Sequence, residues 1–414
     1  MKISSKMWRK SICNNLTILF TIAVLSVINA SFAFAQRERD EKATIIGFKG
    51  IQYISPDSTF YTNFRFRMQN RLKYTSFSGD ELGDGSFEAR IRRMRLRMDG
   101  YIYNPRLTYS IQLAFTRGDQ DFDDTGIANI VRDAVVFYNF TKNFYVAFGT
   151  NKLPGNRQRV NSSGQLQFAE RSLVNATFNL DRDFGIKGYY SSKLGNMPFH
   201  LKGAITTGEG RPANSTDDGL AYTGRAEILP LGKFTNDGDY SEGDLEREKT
   251  PKISIGGGYS YNHKTTRAGG QTGKTLYNPL TLKTTFLDAM FKYAGWAYQV
   301  EYMQRDADNP LTFNLDGDVR YAYKGDGINQ QLSYLISDEE GYEIAGRYTL
   351  INPHADIAAY EKQTEVVELG LTKYFRAHRL KMQLNLHYQV KDGVYRTNHA
   401  GNNWGSTFQI ELGI

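Results

Sequence analysis

The sequence predicts an all-β fold: a transmembrane antiparallel β-barrel of about sixteen strands with one loop folded into its lumen. Three observations carry that prediction. Segments of about ten residues alternate apolar and polar side chains along most of the chain, as strands do with one face in lipid and one in water. The composition is one of strands and turns, 13% aromatic with 27 Tyr, 25 Phe and 39 Gly but only 10 Pro. Mean hydropathy is −0.51, too polar for a helical membrane bundle yet compatible with a barrel, where half of each strand faces water.

Residues 1–35 are of a different kind. Lys2, Lys6, Arg9 and Lys10 precede an apolar run from Leu16 to Ile28, and Ala33-Phe34-Ala35 offers a small-x-small cleavage site before Gln36. A secretory signal peptide is expected; the apolar run is shorter than the ~20 residues of a spanning helix. An N-terminal periplasmic segment is expected over 36–58 and the barrel over 59–414. The single cysteine, Cys13, lies in the expected signal, so the mature chain has no disulfide, thiolate metal site or cysteine nucleophile. Loss of the four basic residues takes the net charge from +7 to +3, so the placement of charge matters more than its sum.

Strands are expected at 60–74, 87–103, 107–117, 130–140, 144–152, 176–190, 198–207 and 219–229. The second half continues with 252–262, 281–294, 296–305, 327–338, 341–350, 364–375, 379–391 and 403–414. Short connections alternate with long polar ones, the arrangement of periplasmic turns and outer loops. The exception is 230–251, long yet on the periplasmic side: either an excursion or a concealed hairpin. A soluble β-sandwich is the competing fold, but it would leave very long unpaired edges and would have to reconcile the cationic faces described next with a packed core.

In 60–74, Phe60, Phe64, Phe66, Met68 and Leu72 share one face and Arg65, Arg67, Arg71 and Lys73 the other. On the lipid side each cation would cost about 2–4 kcal/mol near the midplane, so the cationic face is assigned to the lumen. In the next strand Arg93, Arg95 and Arg97 alternate with Met94, Leu96 and Met98, while Arg90 and Arg92 keep the opposite phase; a β-bulge near Arg92-Arg93 is expected. Strands lie about 4.8 Å apart, so the two present a dense cationic wall. Guanidinium groups hold phosphate and carboxylate bidentately, and a ladder of them can replace an anion's hydration. Glu88, Asp99, Asp133, Glu170, Asp181 and Asp183 are able to form the acidic side of a less selective pore, so both readings stay open. The third long loop, 153–175, carries Arg157, Arg159, Glu170 and Arg171; it is expected to fold inward and narrow the lumen near Asp133.

Other chemistry finds little support. Residues 268–275 resemble a phosphate-binding loop, but Tyr277-Asn278-Pro279 leaves no helix to face a phosphate. The six histidines have no metal-ligand spacing. The acidic loop Asp119, Asp121, Asp123, Asp124 lacks the glycine and glutamate of a defined calcium loop. No nucleophile elbow or catalytic triad is apparent, so no enzyme and no cofactor or metal are expected.

The basic strands also carry a resemblance. Arg67-Met68-Gln69, Arg92-Arg93-Met94-Arg95-Leu96, Arg132-Asp133-Ala134, Phe148-Gly149, Lys152-Leu153-Pro154, Ser162-Ser163 and Phe168-Ala169-Glu170-Arg171-Ser172 resemble the phosphate-selective porin O and P family. Arg182-Asp183-Phe184-Gly185, Leu229-Pro230-Leu231-Gly232 and Glu343-Ile344-Ala345-Gly346-Arg347-Tyr348 extend the likeness toward the C-terminus. The resemblance implies a homotrimeric outer-membrane channel for small anions, phosphate among them, in contact with outer-membrane lipid and lipopolysaccharide and with no nucleic acid. It implies a constriction at which Arg67, Arg93 and Arg171 hold the anion, with Arg92 beside them. Arg159 falls at a loop-lysine position, Asp133 at a constriction carboxylate, and Arg225 is a weaker match. Arg65, Arg71, Lys73, Arg95, Arg97 and Lys152 are then expected to line the pore.

Overall fold

The computed structural model describes residues 50–55, 57–79, 83–116, 130–211, 219–337, 341–391 and 401–414. The expected signal peptide, most of the N-terminal segment, the acidic loop at 119–124 and His399 lie outside the described residues.

A short strand, β1 (Ile51–Ile54), leads into the barrel. The first half of the wall is β2 (Phe60–Ser76), β3 (Gly85–Ile102), β4 (Asn104–Ala114), β5 (Val131–Asn139), β6 (Phe144–Lys152), β7 (Arg182–Leu194), β8 (Met197–Thr206) and β9 (Ala221–Ile228). The second half is β10 (Lys252–Arg267), β11 (Thr275–Tyr293) and β12 (Trp296–Ala307), then, after the outer hairpin β13 (Leu311–Phe313) and β14 (Val319–Tyr321), β15 (Gly325–Ser337), β16 (Tyr342–Pro353), β17 (Thr364–Arg376), β18 (Leu380–Lys391) and β19 (Asn403–Gly413). The sixteen wall strands form a closed antiparallel barrel. β19 closes it on β2, from Gly405 opposite Thr75 to Gly413 opposite Arg67.

The side-chain distribution inverts that of a soluble protein. Phe64, Ile186, Leu369 and Leu384 are exposed on the outer face, whereas Lys187, Arg305 and Lys381 are buried inside. Phe66, Ile111 and Leu113 are half-buried on the same outward phase. The expected bulge is present: Gln69 pairs with Arg93 and Asn70 with Ile91, leaving Arg92 as the extra residue. Because Arg71 pairs with Arg90, the bulge turns Arg90, Arg92, Arg93, Arg95 and Arg97 to one face. β5 repeats the device: Gln112 pairs with Asp133 and Leu113 with Val131, so Arg132 is the extra residue beside Asp133.

The third outer loop folds into the lumen and circles it. Its ends meet where Leu153 N donates to Asp181 O at 3.0 Å. On one side Asn156 Nδ2 and Gln158 N donate to the Glu301 carboxylate at 2.9 and 3.0 Å. Farther along, Lys381 Nζ donates to Leu166 O at 2.6 Å and Gln383 Nε2 to Gln167 O at 2.6 Å. One sequence expectation is corrected here. The strand expected at 176–190 starts at Arg182, and Leu173–Phe178 is a short helix capped by Ser172, whose side chain accepts from Asn175 N. The β-branched and aromatic residues of this segment favour a strand locally. Tertiary packing overrides them: Val174 and Phe178 join Leu153, Leu180, Phe286, Met303 and Ile351 in an apolar cluster inside the barrel. Arg305 caps the helix C-terminus, donating to Phe178 O at 2.9 Å.

The long connection between β9 and β10 is an excursion, not a hairpin, since the two strands pair directly. From the periplasmic end it rises to the inner face of the third loop. Glu242 N donates to Gln165 O at 2.9 Å, and Gln167 N to Glu242 Oε2 at 2.9 Å. Lys292 holds it to the wall through Gly238 O at 2.7 Å and Ser241 O at 2.9 Å. The phosphate-loop lookalike is the outer turn between β10 and β11, where Gly270 and Gly273 take positive φ of 80° and 95° and a strand follows.

Candidate functional site

The two infolded segments fill one side of the lumen and leave a cavity of about 730 Å³ along the β2–β7 wall. It reaches the outer turns at Arg211 and Gly273 and the periplasmic end at Arg379 and Ile414. Among the described residues, twelve arginines and Lys152 border it, against three acidic side chains, Asp133, Asp181 and Glu411.

Each predicted residue can be placed. Arg67 Nη2 donates to Ser163 Oγ at 2.7 Å, and Arg95 Nη1 donates to the same hydroxyl at 2.9 Å. Arg93 Nη1 donates to Gln69 Oε1 at 2.9 Å. Lys152 Nζ donates to Val160 O at 2.7 Å and Asn161 O at 2.9 Å. Arg65 and Arg97 share Asp99 near the periplasmic end. Asp133 accepts from Arg182 Nε at 2.6 Å, Arg182 also reaches Asp181 at 3.2 Å, and Asp181 pairs with Arg159. This chain ties the loop to β5 beside Asp133, as its charge content implied.

Arg171 differs from these. Its guanidinium donates to two loop carbonyls, Gln158 O at 2.6 Å and Asn161 O at 2.8 Å. Burial, with Arg159, Arg93 and Arg95 nearby, pushes it well below the usual arginine range. A cation so placed gains most from an incoming anion. Burial alone would raise the Glu170 carboxyl, but Arg93, Arg92 and Arg71 outweigh it and hold it well below the ordinary range. Asp181 behaves alike: burial raises it, and Arg159, Arg182 and Arg132 more than reverse this. Burial together with Lys381 and Lys292 keeps His378, at the periplasmic end, well below its ordinary value. From pH 7 to about 5 these carboxylates therefore stay ionised and the histidine neutral. The reversal potential of the channel is expected to be constant across that interval; a shift of sign between the two limits would contradict it.

Three predicted residues do not line the cavity. Arg71 is buried under the loop, donating to Ala169 O at 3.0 Å and Gln409 Oε1 at 2.7 Å. Lys73 lies opposite Glu88. Arg225 belongs to a buried cluster on β9 and β11, with Asp288 at 2.7 Å and Glu227 at 2.6 Å, and Arg157 from the loop at 2.5 Å from Asp288. Conversely Arg132, Arg182, Arg211 and Arg379 border the cavity without having been assigned to the pore from the sequence. For Arg132 strict alternation misleads, because its bulge reverses the phase.

A sequence profile described as phosphate-selective porin O and P matches residues 63–412. The chain belongs to that family. It is therefore an outer-membrane porin, a channel built on a closed β-barrel. No curated protein matches it in sequence. Among solved structures, this porin resembles OprB of Pseudomonas putida in its high-pH form (TM-score 0.55, 11% identity, 85% of this chain and 94% of that one). It also resembles OmpF of Salmonella typhi in complex with daunomycin (0.54, 12%, 88% and 100%). A third is an anion-selective porin from Comamonas acidovorans (0.51, 13%, 85% and 99%). At these identities the likeness is one of fold.

Proposed function

We propose that this porin passes small anions by passive diffusion along its arginine wall, with phosphate or polyphosphate as the leading solute. The observation that carries the reading is the cavity lining, twelve arginines against three acidic side chains among the described residues. Arg67, Arg93 and Arg171, with Arg92, Arg95 and the Ser163 hydroxyl close by, supply donors from two strands and the loop to one oxyanion. Arg65, Arg97, Lys152 and Arg159, the last beside the Asp133–Arg182–Asp181 chain, continue the wall. Such donors substitute for water around an anion and pass it between neighbouring positions. The family description agrees with phosphate. The exposed apolar outer face suits outer-membrane lipid, and the family resemblance adds a homotrimer, checked by light scattering of the detergent-purified protein.

A second reading, a general or sugar-permeable porin, is favoured by the pairing of several arginines with Glu170, Asp133, Asp181 and Glu411. Reversal potential across a bilayer in a potassium chloride gradient separates the two. The expected sign is that of chloride preference, with inorganic phosphate reducing the chloride current. Potassium preference would overturn the anion reading.

A further inference from the structure

The residue that ties Arg71, Arg92 and Arg93 together is itself an anion. Glu170 sits on the infolded loop, and its carboxylate collects three guanidinium groups from two wall strands. Oε1 accepts from Arg71 at 2.7 Å and from Arg92, and Oε2 accepts from Arg93 at 2.6 Å. A fourth arginine, Arg347, donates to the Glu170 carbonyl at 3.0 Å. The carboxylate keeps contact with solvent: its side chain is 38% exposed, while Arg71 and Arg93 are 3% and 4% exposed. This tethered charge is thus bonded to cations of which Arg92 and Arg93 border the cavity.

We infer that Glu170 is the resident anion of the Arg71–Arg92–Arg93 site, a built-in competitor that a passing anion must displace from Arg92 and Arg93. This rests on the anion-channel reading and names the residue that sets its binding strength. A pore conducts only when its sites bind strongly enough to draw an ion in and weakly enough to let it go. Three convergent guanidinium groups without a counter-ion would hold a tetrahedral oxyanion through several charge-assisted bonds. A carboxylate fixed to the loop offers the same oxygen acceptors, and because it is tethered its effective concentration is high. It therefore keeps the triad ordered and lowers its affinity for free anions. Arg93 also borders the cavity, so displacement of Glu170 connects the triad to the rest of the wall.

The competing role is that of a staple, in which Glu170 merely positions the arginines. The two differ in sign. In Glu170→Gln, the concentration of inorganic phosphate that halves the chloride current should fall about tenfold or more, the decade that ~1.4 kcal/mol of lost competition represents. A staple predicts weaker block, because the arginines lose their order. In Glu170→Ala the vacated space should admit acetate, which then reduces chloride current at concentrations without effect on the wild-type channel. Unaltered or weakened phosphate block in the first variant, or no gain of acetate block in the second, overturns the competitor role. A wild-type channel that prefers potassium overturns the anion reading first and independently.

Discussion

Excising the inward part of the third loop, residues 157–178, and bridging the gap with a short glycine-serine link is expected to raise single-channel conductance several-fold and abolish most anion preference. The geometry permits the excision, since Leu153 and Asp181 are already hydrogen-bonded to each other at 3.0 Å. A sixteen-stranded barrel leaves an aqueous channel unless something occupies it. Here the loop, backed by the β9–β10 excursion, reduces that channel to the space along β2–β7. The excision also removes Arg159, Arg171 and Ser163, so less of the remaining lining grips an anion. The control is the barrel's heat-modifiable migration on a denaturing gel, which should persist because the strand pairing does not depend on the loop. Unchanged conductance in a correctly folded variant would mean that the loop does not limit the pore.

The second large effect is expected at Arg171. Its guanidinium bonds to two backbone carbonyls and has no carboxylate within ion-pair distance among the described residues. Arg171→Ala should weaken phosphate block about tenfold or more, as the loss of one charge-assisted bond of ~1.5–3 kcal/mol implies, and shift the reversal potential toward cations. Arg67→Ala and Arg93→Ala should act in the same direction. Two substitutions calibrate the result. Lys391→Ala removes a cation that pairs with Glu361 at 3.2 Å near the outer rim and should do little. Arg225→Ala strips a cation from the buried Asp288 and Glu227 and should cost ~3–5 kcal/mol of stability, seen as a lower unfolding temperature without a change of ion preference. Equal behaviour of Arg171→Ala and wild type would reduce the basic wall to a solvated lining.

The barrel and its cationic face were legible because membrane strands obey a two-residue period with a steep penalty for charge in lipid. The alternation over Phe60 to Tyr74 sufficed to place Arg65, Arg67 and Arg71 inside. The bulge at Arg92 could be foreseen because it occurs within a run of arginines whose phases conflict. The bulge at Arg132 could not, because one arginine next to one aspartate conflicts with nothing. Arg225 has the same phase and charge as the pore residues; what removes it is Asp288, 63 residues away and unseen by any local rule. The helix at Leu173–Phe178 was hidden for the same reason, since its apolar partners come from β11, β12 and β16.

The seam of the barrel has a consequence for assembly. β19 ends opposite Arg67, Ile414 N donates to Phe66 O at 3.0 Å, and β1 then takes over the same edge of β2, with Ile51 opposite Phe64 and Ile54 opposite Tyr61. The joint on β2 is thus shared by two segments, β19 along Arg67 to Thr75 and β1 along Tyr61 to Phe64. A chain trimmed back to Phe60 would insert with a short open edge of unpaired backbone, a place where a second unfinished barrel could graft itself. Pairing of β1 is in this sense the final stitch of assembly, and a channel lacking it should be prone to strand exchange with its neighbours.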